Sequence, residues 1–361
     1  MKTLVSSIPV QHTASSRISD IDFTNLDFGK HISDHMLVVD YAKGQWLPPV
    51  IKPYGELLMS PAILSLHYGQ AVFEGMKAYK MKDGNISIFR IHKHHDRFNK
   101  SLARMCMPAI PEDLFISGLH ALIETDNQWI PDREGSSLYI RPHVFATETR
   151  LGVKISEQYK FIIMTSPVGP YFVKPLRVMI QETFVRAAEG GTGFAKCAGN
   201  YGGAFYPTQL AREQGFDQVL WTDAKEHKYI DESGAMNVMF VSDGKLITPK
   251  LTTAILDGVT RDSILTLAKD LGLPHEERRI SVADLEGGFA NGKLTEAFGA
   301  GTAAVVAPIA VINIHGKDYK LPEFDKNSFQ LRVKEKLGAI RTGAEPDIHN
   351  WNYIIPIIKP A

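Results

Sequence analysis

Only two cysteines, Cys106 and Cys197, occur in 361 residues, with no CxxC pair and no His/Cys cluster at zinc spacing. That scarcity excludes a disulfide framework, argues against a structural metal site and leaves two free thiols as the expectation. Charge of one sign is lacking too: 40 Lys plus Arg balance 40 Asp plus Glu, and no long run of either sign interrupts the mixture. The electrostatic footprint of a nucleic-acid or anionic-membrane binder is therefore missing, and a small neutral partner is expected. Long hydrophobic runs are also absent. The most apolar stretch, 303–312, is about half a membrane span and contains Pro308, so it reads as sheet core. The first residues, Met1-Lys2-Thr3-Leu4-Val5, turn polar at Ser6 and Ser7 before a hydrophobic region of about seven residues accumulates. No secretory signal is expected, and the cytoplasm is the expected compartment.

What is present is ordinary globular usage, 44% hydrophobic and 22% charged, which excludes disorder and fibrous designs. The length exceeds the roughly 250–300 residues that one hydrophobic core serves, so two domains are expected. Met36-Leu37-Val38-Val39-Asp40-Tyr41 reads as a first strand. Segments 73–80 and 86–90 flank Lys82-Asp83-Gly84-Asn85 as a hairpin. From His94, the apolar positions Phe98, Leu102 and Met105 predict a helix that stops before Pro108 and carries Arg97 in its first turn. A helix at 114–125 and strands at 137–147 and 159–165 follow. The segment 166–175 holds three prolines and a glycine, which makes it the expected linker. Beyond it, strands are expected at 178–183, 218–222, 236–241 and 303–314, with an Asp243-Gly244 turn. Helices are expected at 264–271, ending at Gly272, and along Phe329, Val333, Leu337 and Ile340. The class is mixed α and β.

Several motifs carry candidate chemistry. Gly299-Ala300-Gly301-Thr302-Ala303-Ala304 fits a dinucleotide fingerprint, but β-branched strand follows it where a helix is required. No Gly-Lys pair is followed by Ser or Thr, so a Walker-type loop is absent. His92, His94 and His95 lack the further ligand that would complete a metal cage and read as a solvated helix start; no metal is expected. The unusual stretch runs from Glu189 to Gly203, where six glycines surround Lys196 and Tyr201. Glycines permit close backbone approach and positive φ, a composition that fits a lysine held against a ligand, whereas the bland alternative is a flexible surface loop.

Taken together, the motifs resemble the branched-chain amino-acid aminotransferases of fold-type IV, which use pyridoxal 5′-phosphate (PLP). The resemblance rests on Phe28-Gly29-Lys30 with Asp34-His35-Met36, on His67-Tyr68-Gly69-Gln70 with Phe73-Glu74-Gly75-Met76-Lys77-Ala78, on Asp96-Arg97 and on Leu138-Tyr139-Ile140-Arg141-Pro142. It continues through Lys196-Cys197-Ala198-Gly199-Asn200-Tyr201-Gly202, Glu232-Ser233-Gly234-Ala235-Met236-Asn237, Gly258-Val259-Thr260-Arg261 and Gly299-Ala300-Gly301-Thr302-Ala303. What the resemblance implies is an α+β architecture of fold-type IV. It has a small N-terminal α/β domain at 1–168, a linker at 169–176 and a larger PLP-binding domain at 177–361, built on β-sheet or barrel with helices. A homodimer is implied as well.

The resemblance also implies roles. Lys196 matches the lysine that forms the Schiff base with PLP and afterwards shuttles a proton. Glu232 matches the acid facing the pyridine nitrogen, and Tyr201 the phenol at the ring oxygen. Arg97, the amides of Val259 and Thr260 at a helix start, and Thr302 match the phosphate contacts. Tyr139 and Arg141 share a strand face and match the substrate-carboxylate contacts, including the distal carboxylate of glutamate. Phe28, Tyr68 and Phe73 resemble the aromatic wall for an aliphatic side chain, with Tyr68 coming from the neighbouring subunit; Ala235 and Ala303 fall at further substrate positions. Ala235 departs from members with threonine there, and Ala304 and Ala307 replace the CxxC redox pair of mammalian members. The implied activity is ping-pong transamination between leucine, isoleucine or valine and 2-oxoglutarate through the pyridoxamine form. Rivals are a D-amino-acid transaminase, an aminodeoxychorismate lyase and, from another class, a non-enzymatic binder of a phosphorylated metabolite.

Overall fold

The computed structural model describes residues 8–170 and 174–357. The expectations for Met1 to Ser7 and for Tyr171, Phe172 and Val173 of the linker lie outside the described residues. In chain order the first elements are β1 (His35–Ala42), β2 (Gln45–Trp46), β3 (Val50–Pro53), α1 (Leu64–Tyr68), β4 (Ala71–Phe73), β5 (Met76–Lys80), β6 (Ile86–Phe89), α2 (Ile91–Arg104), α3 (Glu112–Thr125), β7 (Ser137–Ala146) and β8 (Tyr159–Val168). There follow β9 (Leu176–Ile180), α4 (Gly199–Gly202), α5 (Phe205–Glu213), β10 (Gln218–Thr222), β11 (Ile230–Ser233), β12 (Met236–Ser242), β13 (Lys245–Pro249) and α6 (Val259–Asp270). The chain ends with β14 (His275–Arg278), α7 (Val282–Ala290), β15 (Leu294–Gly301), β16 (Val305–Ile314), β17 (Lys317–Lys320), α8 (Phe329–Arg341) and β18 (Asn352–Ile355).

Two units result, Met1–Tyr171 with Gly338–Ala361 and Phe172–Leu337. The first is built on an antiparallel sheet ordered β18-β6-β5-β7-β8-β1-β2, with β3 on β1 and β4 on β7. Its spine is the ladder from Ser137↔Val168 to Ala146↔Tyr159. Strand β8 thus runs through Pro167, further than the sequence predicts. Proline is tolerated there because the ladder to β1 stops at Ile163, so the strand end is an edge. On one face lie α2 and α3: Phe98, Phe115 and Phe161 meet with ring centroids 6.1–6.3 Å apart. Fully burying such a side chain stabilises the fold by about 1.5–3 kcal/mol.

Helix α2 begins at Ile91, three residues earlier than the apolar spacing from His94 suggests, so Arg97 sits in its second turn. The predicted 73–80 strand is split at Glu74-Gly75 into β4 and β5. The segment 338–357, read from sequence as part of the second domain, packs with the first. Strand β18 pairs with β6 from Asn352↔Phe89 to Ile355↔Ile86, and Trp351 stands edge-on to Phe89 at 5.5 Å. With this segment the first unit is the longer of the two.

In the second unit β11, β10, β9, β16, β15 and β12 pair in that order, and β11 pairs again with β12, so the six strands close on themselves. The ring is mixed: β9 is parallel to both β10 and β16, and the other pairings within it are antiparallel. Val178, Leu220, Val238, Phe240, Ala297 and Ile312 belong to one buried cluster of this unit, each fully buried. Closure leaves no open edge in the ring. The strand expected at 303–314 is β16, which starts at Val305 after a turn at Thr302-Ala303-Ala304; the sequence did not announce β15 before that turn, because Gly299 and Gly301 conceal it from a propensity reading. No helix among the described residues is long and apolar enough to cross a membrane.

Candidate active site

Within the second unit, the glycine-rich stretch is pinned rather than flexible. The Asn200 side chain donates to the Thr192 and Ala195 carbonyls at 2.9 and 2.8 Å and accepts from the Thr192 hydroxyl at 2.7 Å. Phe194 N–H donates to the Thr253 carbonyl at 3.1 Å, and Gly190 N–H to the Thr253 hydroxyl at 2.8 Å. At Gly193 a Cβ would stand 2.3 Å from the Ala254 carbonyl oxygen, so two backbones touch where only glycine fits. Half-buried Lys196 lies three residues on, its Nζ donating to the Tyr201 hydroxyl at 3.0 Å. That phenol is supplied by the short helix α4.

Strand register sets the rest of this unit's candidates. Glu232 on β11 is opposite Asn237 on β12, which is opposite Ala300 on β15, so the turn bearing Thr302 and Ala303 follows directly after that level. Glu232 is buried at 3% exposure, and one of its oxygens accepts from Leu256 N–H at 2.7 Å. Its other oxygen lies 3.1 Å from Nε of Arg186, which no sequence motif singled out. Asn237 donates to the Leu256 carbonyl at 2.8 Å, fixing the segment that enters α6. At that entry Gly258 is the N-cap without a side-chain cap bond, and Val259 and Thr260 are the first two helical residues. Their N–H groups have no intrahelical acceptor and lie at the positive end of the helix dipole. Ala235 is exposed in the two-residue turn between β11 and β12, which Gly234 opens at φ +58°. Val305, closing the Thr302 turn, has φ +63°, a conformation rare for a β-branched residue and costing about 1–3 kcal/mol.

Asp231 neighbours Glu232. Burial first, and the Glu232 carboxylate second, push its carboxyl up to about 7.

The first unit carries a separate set. Tyr139, Arg141 and His143 alternate along β7 and share a face. The Arg141 guanidinium donates to the Tyr139 hydroxyl at 3.0 Å and lies 4.6 Å from the centre of the Phe73 ring. Phe28 meets Tyr139 edge-on at 4.8 Å. A Cβ at position 75 would strike the Tyr139 hydroxyl at 2.2 Å, which accounts for Gly75. Burial and then the Arg141 charge push the His143 imidazole down to about 4, so it is neutral at pH 7. Tyr68 stands apart from this cluster at 41% exposure, its hydroxyl donating to the Leu151 carbonyl.

Arg97 is buried at 7% exposure and forks onto fully buried Glu74: Nε to Oε2 at 2.8 Å and one terminal nitrogen to Oε1 at 2.5 Å. His94 Nδ1 lies 3.2 Å from the same Oε1. Burial would raise the Glu74 carboxyl, but Arg97 and His94 hold it well below the usual carboxylate range. The solvated reading of the three histidines is thereby corrected. Only His92 is exposed, paired with Glu112 at 2.7 Å, while His94 faces Glu74 and His95 bonds the Ile110 carbonyl at 2.8 Å. Among the described residues no three His, Cys, Asp or Glu side chains are grouped to hold a metal. A groove of about 500 Å³ lined by Met81, Ile340, Pro346 and Asn352, also in this unit, shares no residue with the candidate sets.

Similarity to known proteins extends over most of the chain. The amino-transferase class IV family model matches residues 71–312. The chain is 44% identical over 335 residues to branched-chain-amino-acid transaminase 1 of Bacillus subtilis (strain 168), covering 91% of this chain and 94% of that protein. Among solved structures, the branched-chain amino acid aminotransferase of Escherichia coli superposes with a TM-score of 0.73 at 26% identity, covering 88% of this chain and 98% of that one. A branched-chain amino acid aminotransferase from T.th., complexed with N-(5′-phosphopyridoxyl)-L-glutamate, gives 0.69 at 25% identity, covering 87% of this chain and 97% of that one.

Proposed function

From the premise that this chain belongs to the amino-transferase class IV family, we infer that it catalyses PLP-dependent transfer of the amino group between branched-chain L-amino acids and 2-oxoglutarate. One observation carries the reading: a single unit holds an immobilised lysine amine beside a phenol, and a buried acid with its own counter-ion. These groups fit PLP, which offers an aldehyde to an amine, a ring oxygen to a phenol and a ring nitrogen to an acid. When bound, the cofactor supplies an electron sink for the charge left when the substrate Cα–H bond breaks.

The residues of the chain then take the following parts. Lys196 Nζ would hold the cofactor and move the proton at the substrate α-carbon; the Tyr201 hydroxyl, 3.0 Å away, orients it. Glu232 favours a protonated ring nitrogen. Arg97, the N–H groups of Val259 and Thr260, and Thr302 hold the phosphate. Tyr139 and Arg141 bind carboxylate, while Phe28, Phe73, Ala235 and Ala303 shape the site for an aliphatic side chain. Tyr68 serves a neighbouring subunit. It lies among exposed apolar side chains, Leu66, Leu151, Val153 and Ile155, a surface suited to a homodimer. Free Cys106 and Cys197 suit a reducing compartment such as the cytoplasm.

The test is a donor panel. Wild-type protein forms glutamate from 2-oxoglutarate with L-leucine, L-isoleucine and L-valine, and Lys196→Ala lowers turnover by at least ~10³-fold. Turnover of D-alanine or aminodeoxychorismate in their place supports the rival enzymes. Unchanged binding of a phosphorylated metabolite by Lys196→Ala, with no transamination by either protein, supports a carrier.

A further inference from the structure

Arg186 lies in the segment after β9, with its side chain only 10% exposed. Three separate pieces of the second unit meet on it. Its Nε is 3.1 Å from the Glu232 carboxylate; one terminal nitrogen donates to the Gly193 carbonyl at 3.2 Å and also to the Ala254 carbonyl. Gly193 begins the turn into Lys196, and Ala254 begins the segment leading through Leu256 to the start of α6. The carboxylate holds that same segment from its other oxygen, through Leu256 N–H. A planar guanidinium can turn Nε toward an acid while one terminal nitrogen serves two carbonyls, whereas an ammonium is a point donor.

We propose that Arg186 is a positioning residue that fixes the Glu232 carboxylate, the turn into Lys196 and the segment entering α6 in one arrangement. The proposal rests on the reading of Lys196 and Glu232 as cofactor-holding groups. Arg186 acts through the groups it holds, Glu232 and the Gly193 and Ala254 carbonyls. A substitution should therefore disturb cofactor affinity and local backbone protection together, while leaving the ring of strands formed.

The experiment compares holoenzyme and PLP-free protein for wild type, Arg186→Met and Arg186→Lys. It reads PLP affinity, the visible circular dichroism of bound PLP and amide hydrogen exchange. Arg186→Met is expected to weaken PLP by about 10- to 100-fold, the loss usual for supporting partners of metal ligands. It should also reduce the visible dichroism and speed exchange at 191–195 and 253–257. Arg186→Lys keeps the charge and should recover part of the affinity but not the exchange protection. A folded Arg186→Met with PLP affinity within about twofold of wild type and unchanged exchange overturns the proposal. If Arg186→Met does not fold, Arg186→Lys decides, and wild-type affinity with wild-type exchange overturns it. Failure of the underlying reading looks different: wild type binds no PLP, or Glu232→Gln leaves the visible band unmoved.

Discussion

Removing the Glu74 carboxylate strands a cation. Arg97 is 7% exposed and Glu74 fully buried, so Glu74→Ala leaves a guanidinium away from water without its counter-ion. Breaking a buried pair from one side costs about 3–5 kcal/mol. For a unit of this size each kcal/mol moves the melting point by about 2–4 °C, so a drop of roughly 6–20 °C is expected by calorimetry of the PLP-free protein at pH 7. The dependence on pH has a definite sign. The folded carboxyl is held below its ordinary value of 4.5. Its contribution is therefore complete above that pH and is lost as pH falls further, because the unfolded chain takes up a proton that the folded carboxylate refuses. The gap between wild type and Glu74→Ala should narrow in acid. Replacing the pair together, Glu74→Leu with Arg97→Met, should regain most of the stability, since apolar residues of similar volume substitute well for buried pairs. The same double variant should bind PLP poorly. A Glu74→Ala protein melting within about 2 °C of wild type at pH 7 refutes the reasoning.

Other variants probe the same structure. Asp231→Asn should leave stability unchanged near pH 4 and raise it at pH 8: a carboxyl raised to about 7 gives the folded state the extra proton between its ordinary 3.8 and 7, so stability falls as pH rises through that window. Denaturant titrations at both pH values check this. His143→Gln should flatten the loss of stability on acidification from 6.5 to about 4, where wild-type unfolded chains gain a proton that the folded imidazole does not. Gly193→Ala should cost about 1–3 kcal/mol and weaken PLP, because its Cβ meets backbone, whereas Gly203→Ala, with nothing within 4 Å, should be near neutral in the same melts.

The elements legible in the sequence are those with a signal of their own. Strand β10 announced itself by its β-prone apolar run Val219-Leu220-Trp221, and the hairpin turns by residues suited to positive φ, Asp243 at +52° and Gly244 at +70°. Gly272 at +69° marked the end of α6. Strands β14 and β17 read His-Glu-Glu-Arg and Lys-Asp-Tyr-Lys, without apolar alternation, and exist only because a neighbour offers an edge. The closing pair β11–β12 and the return of β18 to β6 depend on distant partners that no local pattern encodes. The site divides along the same line. Lys196, Tyr201 and Glu232 stand in recognisable motifs, but Arg186 draws its meaning from an acid on a strand far along the chain. Glu74 draws its meaning from Arg97. His94 read as solvated because a helix start with three histidines looks polar, yet its face turns inward against that carboxylate.

Whether Lys196 and Glu232 hold a vitamin-B6 phosphate for amino-group transfer is read from the visible absorption spectrum of the purified protein. A yellow protein whose band bleaches on adding L-leucine and returns with 2-oxoglutarate is the predicted result. A colourless protein that takes up no PLP, or a band that L-leucine leaves unmoved, contradicts it.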